Sequence, residues 1–177
     1  RAKLAMWARV ATIRIASENG ETDGNTGVTM RYPFAGNPIM HAEFSALHQS
    51  TKPLLLPNAW DAASAKLFER SGASAIATSS AAVAWALGYP DGSALPEQEL
   101  VDAVRRITRV LSVPLTVDIE DGYNDDAAKV AALAQKIVDV GAVGINIEDG
   151  TKPPALLAEK IERIRGALSS APLFINA

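Results

Sequence analysis

The sequence has 177 residues, of which 48% are hydrophobic and 21% are charged, with a formal net charge of −3 and no cysteine. This composition supplies one sizeable core, offers no basic surface for nucleic acid or anionic lipid, and contains no apolar run long enough to cross a membrane. Without cysteine there are no disulfides and no thiol nucleophile, which fits a reducing compartment, and we predict a cytoplasmic protein.

Residues 1–39 are predicted to be a poorly ordered leader. Turn-forming residues such as Asn19-Gly20 and Asp23-Gly24 cluster there without a sustained hydrophobic period. Residues 1–16 are basic and contain no acid, so an organelle transit peptide is the minor alternative to a cytoplasmic location. The regular pattern begins near Met40, and residues 40–177 are predicted to form a partial (β/α) barrel domain.

Five short apolar strands alternate with amphipathic helices from Met40 onward. The strands are predicted at residues 54–57, 75–78, 115–119, 143–147 and 173–175. Near-continuous apolar runs are typical of parallel strands that helices cover on both faces. An open nucleotide-binding sheet would need a glycine-rich turn after its first strand, and Pro57-Asn58-Ala59-Trp60-Asp61 has none. The pattern therefore favours an α/β fold with a parallel (β/α) TIM-type barrel.

The helices have recognisable ends. Pro96 opens one helix, because proline is tolerated in a first turn. Asp125 is predicted to cap the next helix, which ends at Gly141, and Pro154 opens the last one.

Acidic residues lie at the ends of the third and fourth strands. Asp118 and Glu120 flank Ile119 and point the same way, and Glu148 ends the neighbouring strand. Active sites of parallel barrels lie at these strand ends. Carboxylates crowded there repel one another unless a cation neutralises them, so we predict that the three acids bind Mg²⁺, with Mn²⁺ as a substitute. The alternative is that acids here cap helices or pair with rim lysines, a role that suits Asp121.

Five stretches, in order, resemble the isocitrate lyase and phosphoenolpyruvate mutase superfamily from about Phe44 onward. They are Pro57-Asn58-Ala59-Trp60-Asp61-Ala62-Ala63-Ser64-Ala65, Thr78-Ser79-Ser80-Ala81, Leu87-Gly88-Tyr89-Pro90-Asp91, Asp118-Ile119-Glu120-Asp121-Gly122-Tyr123 and Gly144-Ile145-Asn146-Ile147-Glu148-Asp149. The resemblance implies a (β/α)8 barrel. It also matches Asp118, Glu120 and Glu148 to the family's metal-site acids, and Asp91 to an acid that contacts metal-bound water.

The resemblance also implies substrate contacts and a type of reaction. Ser79, Ser80 and Ala81 match the segment that holds the carboxylate and oxyanion of the substrate, and Asn58 and Trp60 are further candidates for binding it. The family forms or cleaves a C–C or P–C bond next to a 2-oxo acid, and the enolate is stabilised by metal and backbone amides. The expected partner is thus a small carboxylate.

The residue that transfers the proton is left open. Tyr89, Tyr123, a carboxylate such as Asp91, or a metal-bound water are the candidates. Both histidines, His41 and His48, precede the first strand and are predicted to be surface or packing residues.

Two departures from the family narrow the expected function. Members that split isocitrate or methylisocitrate use a cysteine after the fourth strand, whereas this loop reads Asp149-Gly150-Thr151-Lys152-Pro153-Pro154. Smaller acids such as oxaloacetate or phosphonopyruvate are therefore expected. Relatives also continue past the fifth strand with a substrate-binding arginine and three more units. We expect a barrel truncated after this strand, which forms a homo-oligomer when full length, and the alternative is an inactive fragment or assembly module.

Overall fold

Helices and strands alternate through residues 37–169 and 171–177, which are the residues that the computed structural model describes. The predicted leader, residues 1–39, lies almost entirely outside them. The elements in chain order are α1 (Pro38–His48), β1 (Asn58–Ala59), α2 (Ala62–Arg70), β2 (Ile76–Thr78), α3 (Ser80–Ala86), α4 (Glu97–Thr108), β3 (Leu115–Asp118), α5 (Ala127–Asp139), β4 (Gly144–Asn146), α6 (Pro154–Ala167) and β5 (Phe174–Asn176). Within this part of the chain no helix has the length and apolarity that a membrane span requires.

The strands form one parallel sheet in the order β1-β2-β3-β4-β5. Each strand pairs with the next one along the chain, which is the neighbour order of a (β/α) barrel. In this register Asp118 pairs with Asn146, and Asn146 pairs with Asn176. The predicted α/β fold with a parallel TIM-type sheet is confirmed, and the carboxyl ends of β3, β4 and β5 lie side by side.

The predicted position of the first strand is wrong. Residues 54–57 precede the paired segment, and Leu55 is 81% exposed. Prolines at positions 53 and 57 have no amide hydrogen to donate to a ladder. Pairing with β2 starts where the Pro57 carbonyl accepts a hydrogen bond from the Ala77 amide at 3.1 Å. The other four strands match their predicted positions to within two residues.

Helix ends follow the sequence signals with one exception. Pro96 precedes α4, Pro154 begins α6, and Gly141 follows α5 with a φ of 103°. The predicted cap at Asp125 is wrong, because Asp126 accepts the capping hydrogen bond from the Ala128 amide at 2.8 Å. Asp125 instead forms an ion pair with Lys152.

The helix α1 packs against the sheet through one aromatic residue. Phe44 is 1% exposed and lies edge to face against Phe174 of β5, with ring centroids 5.1 Å apart. The His48 ring contacts both of these rings, and its Nδ1 lies 2.9 Å from the carbonyl oxygen of Phe44. His48 is itself exposed, in agreement with the prediction of a surface or packing residue.

Alanine at Gly144 is expected to destabilise the fold by about 1–3 kcal/mol, because the added carbon overpacks a filled site. That carbon would lie 2.8 Å from Thr116 Oγ1 and 3.0 Å from Phe44 Cε1. The matched control is Gly166→Ala at an exposed position of α6, where no described residue lies within 4 Å of the added carbon. The control should gain about 0.5–1 kcal/mol in helix propensity. Urea unfolding compares the two variants, and equal stabilities would contradict the packing at Gly144.

Candidate metal and substrate site

Asp118 is the last residue of β3, and its carboxylate is held by neighbouring donors. Its Oδ2 accepts hydrogen bonds from the Ser80 amide at 3.1 Å and the Ser80 hydroxyl at 2.8 Å. Its Oδ1 accepts a hydrogen bond from the Glu120 amide at 3.1 Å. The Asp118 amide donates to Thr78 Oγ1 at 3.0 Å. Contacts from β2, α3 and the following turn therefore fix both the backbone and the carboxylate of this residue.

The turn after β3 has an unusual backbone. Glu120, Gly122 and Tyr123 have φ angles of 51°, 90° and 59°, in the left-handed region. The Gly122 amide closes the turn by donating to the Ile119 carbonyl at 2.8 Å. Non-glycine residues in this region are strained and occur preferentially at functional sites, where the surrounding structure maintains them.

Two buried polar atoms near this turn have no hydrogen-bond partner among the described residues, namely Glu120 Oε1 and the Tyr123 hydroxyl. The other oxygen of Glu120 accepts from the Ser93 hydroxyl at 3.0 Å. Burial, followed by the charge of Glu120, raises the pKa of the Tyr123 hydroxyl above its ordinary value. Unpaired buried polar atoms are rare, and an ion or water is one common explanation for them.

The third predicted acid, Glu148, is connected to the first two through its backbone. Its amide donates to the Glu120 carbonyl at 2.8 Å, so the turns after β3 and β4 touch, but its side chain is exposed. In residues 37–169 and 171–177 no group of three acids or histidines has metal-binding geometry. The structure thus brings the three acid-bearing segments together without making their carboxylates converge.

The chemistry of these residues fits a hard divalent ion. Asp118 supplies an oriented carboxylate, and Glu120 supplies a buried oxygen that no other described residue contacts through a hydrogen bond. Mg²⁺ prefers oxygen ligands and usually keeps several waters, so one or two protein carboxylates suffice. Asp118 and Glu120 are therefore the residues that would hold such an ion, with Glu148 at the adjoining strand end.

The predicted substrate-binding residues have different contacts. The Ser79 hydroxyl caps α3 by accepting a hydrogen bond from the Ala82 amide at 3.3 Å. The Ser80 hydroxyl donates its hydrogen bond to the Asp118 carboxylate. Ala81 lies in the first turn of α3. Trp60 is 41% exposed and packs edge to face against Phe68. Their role in substrate binding stays a prediction.

A cavity of about 300 Å³ adjoins Asp118. Asn58 lines it, as do Asn146 and Asn176 from β4 and β5. These two asparagines hydrogen-bond to each other across the strands. The cavity therefore places amide groups next to the fixed carboxylate, and one of the predicted residues, Asn58, is among them.

The candidates for proton transfer lie around the same turn. Tyr89 packs against the core, and its amide donates to the Ala84 carbonyl at 2.9 Å. Asp91 is exposed, and its negative charge contributes to the raised pKa of Tyr123, as does that of Asp118. Tyr89 and Tyr123 are both half-buried, and Tyr123 lies nearer the acids in sequence.

A rim lysine pairs with the acids that follow the site. Lys152 Nζ lies 2.5 Å from Asp121 Oδ2 and also contacts Asp125. Burial acts to raise the pKa of the Asp121 carboxyl, but Lys152, with smaller contributions from Lys160 and the Tyr123 amide, outweighs it and the pKa is lowered. The interpretation of Asp121 as an ion-pairing residue is confirmed.

Sequence reasoning did not identify Ser93, Thr78 or Lys160 as site residues. Ser93 donates to Glu120 and Thr78 accepts from the Asp118 amide, contacts that join segments 27 and 40 residues apart. Lys160 could have been identified from the sequence, because it occupies a position in the apolar stripe of α6, three residues after Leu157 and four before Ile164.

Residues 44–177 match the family model described as phosphoenolpyruvate phosphomutase. An uncharacterized protein of Mycobacterium tuberculosis H37Rv is 36% identical over 138 residues, which cover 76% of this chain and 51% of that protein. The 2-methylisocitrate lyase of Escherichia coli K12 is 33% identical over 138 residues, covering 72% of this chain and 47% of the lyase. An oxaloacetate decarboxylase of Bradyrhizobium is 36% identical over 98 residues, which cover 50% of this chain and 34% of the decarboxylase.

Solved structures share the fold. The crystal structure of a candidate phosphonomutase from Burkholderia cenocepacia J2315 has a TM-score of 0.74 at 36% identity, covering 78% of this chain and 59% of that one. The chain spans about half the length of the first curated relatives it matches.

Proposed function

The chain belongs to the phosphoenolpyruvate phosphomutase family, and on that premise we propose that it is a divalent-metal-dependent, lyase-type enzyme acting on a small 2-oxo acid. The reaction would cleave a C–C or P–C bond next to the oxo group through an enolate. The observation that carries the proposal is the Asp118 carboxylate, which Ser80 fixes at the end of β3, together with the buried Glu120 oxygen that has no hydrogen-bond partner among the described residues.

The proposed metal is Mg²⁺ or Mn²⁺, held by Asp118 and Glu120 with Glu148 at the adjoining strand end. When bound, such an ion supplies a fixed positive charge that stabilises a developing enolate oxygen. The protein's part is to keep its ligands in place. Ser80 orients Asp118, and Ser93 holds one oxygen of Glu120 while leaving the other available.

The relatives and the loop after β4 support the proposed substrate class. The curated relatives include a 2-methylisocitrate lyase and an oxaloacetate decarboxylase. This chain has no cysteine, and its loop after β4 carries Lys152, which is tied to Asp121 and Asp125 on the rim. That loop favours a smaller acid, of the oxaloacetate or phosphonopyruvate type, over an isocitrate.

Tyr123 is the proposed proton donor. Its hydroxyl is buried without a hydrogen-bond partner among the described residues, and a tyrosine hydroxyl keeps its proton at neutral pH. Tyr89 and Tyr123 both pack partly buried against the core and Asp91 is exposed, so the position of Tyr123 next to the acids in sequence is what favours it. A protonated hydroxyl beside carboxylates is suited to giving a proton to a carbanion, not to removing one.

A non-catalytic assembly module is the second candidate. One observation favours it: within the described residues the three acids do not converge into a metal-binding group. The two candidates differ in turnover, because the module would have no reaction of its own.

Pyruvate release from oxaloacetate and from phosphonopyruvate tests the proposal. We expect turnover by the chain with Mg²⁺, falling by at least about 100-fold with excess chelator, because a catalytic metal contributes several kcal/mol. Free Mg²⁺ at the same concentration without protein is the control. Protein-dependent turnover that persists with chelator would exclude the metal role, and no turnover above the control would favour the assembly module.

A further inference from the structure

Lys160 is buried in the middle of α6, where an apolar residue is expected. Its side chain is 2% exposed, and it shares the inward face of the helix with Ile164, which is 0% exposed. Lysine is seldom fully buried unless it has a polar partner, because desolvation of its ammonium group is costly. The burial of Lys160 therefore needs a specific contact to compensate for it.

That contact is with the turn after β3. The Nζ of Lys160 donates to the backbone carbonyl oxygen of Asp121 at 2.7 Å. Asp121 lies between Glu120 and Gly122, both of which have left-handed φ angles. A partly buried carbonyl that loses its donor keeps much of its desolvation penalty, so this hydrogen bond favours the turn in its strained conformation.

The charge of Lys160 acts on the same segment. Three acids, Asp118, Glu120 and Asp121, lie within four residues of one another at this strand end. The Lys160 ammonium nitrogen lies 2.7 Å from the Asp121 carbonyl oxygen, so its positive charge is placed directly behind this acidic segment. A cation buried behind the turn reduces the mutual repulsion of acids that must be close together to share an ion.

We propose that Lys160 is a positioning residue for the candidate metal site: by holding the Asp121 carbonyl it maintains the left-handed turn that presents Glu120 at the end of β3. The inference rests on the proposed metal role of Asp118 and Glu120, and it extends that role to a residue on α6. Replacing a residue that supports a metal ligand without binding the metal commonly lowers metal affinity by about 10- to 100-fold.

Titration with Mn²⁺, followed by the electron paramagnetic resonance signal of the free ion, tests the proposal. The variants are Lys160→Met, which keeps the length without the donor, and Lys160→Gln, which keeps a polar end. The matched control is Ile164→Ala, which removes buried volume from the same helix face. We expect both Lys160 variants to bind Mn²⁺ about 10- to 100-fold more weakly, and the control to stay within about threefold of the unmodified chain.

The outcomes separate the two proposals. If the unmodified chain shows no saturable Mn²⁺ binding, the proposed function fails. If the chain binds Mn²⁺ and the Lys160 variants bind within threefold of it, or lose no more affinity than Ile164→Ala, Lys160 is only structural and the inference is overturned. Circular dichroism shows whether each variant is folded. If Lys160→Met does not fold, the Mn²⁺ affinity of Lys160→Gln is judged against the same thresholds.

Discussion

Alanine in place of Gly122 should destabilise the protein by about 2–5 kcal/mol, because two unfavourable effects act on one residue. The φ angle of Gly122 is 90°, a conformation that disfavours any side chain. A β-carbon there would also lie 2.6 Å from Val130 Cγ1 and 2.9 Å from Val130 Cγ2, which belong to α5. The turn that carries Glu120 can therefore pack against α5 only if residue 122 is glycine.

A matched glycine separates the two effects. Gly72 has a φ of 96°, and in the part of the chain that the structure describes nothing lies within 4 Å of the position that its β-carbon would take. Gly72→Ala should thus show the backbone penalty alone, about 1–2 kcal/mol. The double variant Gly122→Ala with Val130→Ala should be less destabilised than the sum of the two single changes, since the clash is gone. Urea unfolding measures all four, and equal losses for Gly72→Ala and Gly122→Ala would contradict the close packing on Val130.

The parallel fold and the position of its acids were predictable because they depend on local patterns. Apolar runs alternating with amphipathic helices indicate a parallel sheet, and parallel topology puts every carboxyl strand end on one edge. A charged residue directly after Leu115-Thr116-Val117 is conspicuous, because buried charge is seldom tolerated without compensation. The observed pairing of Asp118 with Asn146 follows from the same register.

The detailed arrangement of the site was not predictable, because it depends on contacts between distant segments. Ser80 and Asp118 are 38 residues apart, and their hydrogen bonds use the serine that was assigned to the substrate. The first strand was misplaced because prolines interrupt its apolar run, and the cap was assigned one residue early among adjacent aspartates. Whether three carboxylates converge depends on side-chain torsions, which no spacing in the sequence determines.

Asp118→Asn is expected to weaken binding of Mn²⁺ by at least about 100-fold. This loss is larger than the one typical of replacing a residue that only supports a metal ligand. Asparagine keeps the shape of the side chain, and its oxygen can still accept the hydrogen bonds from Ser80, but its amide nitrogen cannot accept the one from the Glu120 amide. It also lacks the negative charge that a hard divalent ion prefers. The fold should be retained, so the loss of affinity would report on the site and not on unfolding.

Asp125→Asn is the matched control for this change. It removes the same charge from the same loop, but its carboxylate pairs with Lys152 and is 68% exposed. Long-range electrostatic attraction of Mn²⁺ should therefore fall equally in both variants, since each loses one negative charge near the strand end. Only Asp118→Asn removes a proposed ligand, and circular dichroism of the two variants would show whether they remain equally folded.

The most direct test of a divalent-metal site at the end of β3 is a Mn²⁺ titration of the chain, Asp118→Asn and Asp125→Asn, followed by electron paramagnetic resonance. The account predicts one saturable site in the unmodified chain, retained within about threefold in Asp125→Asn and lost in Asp118→Asn. Equal affinity in all three proteins, or no saturable binding to the unmodified chain, would contradict it.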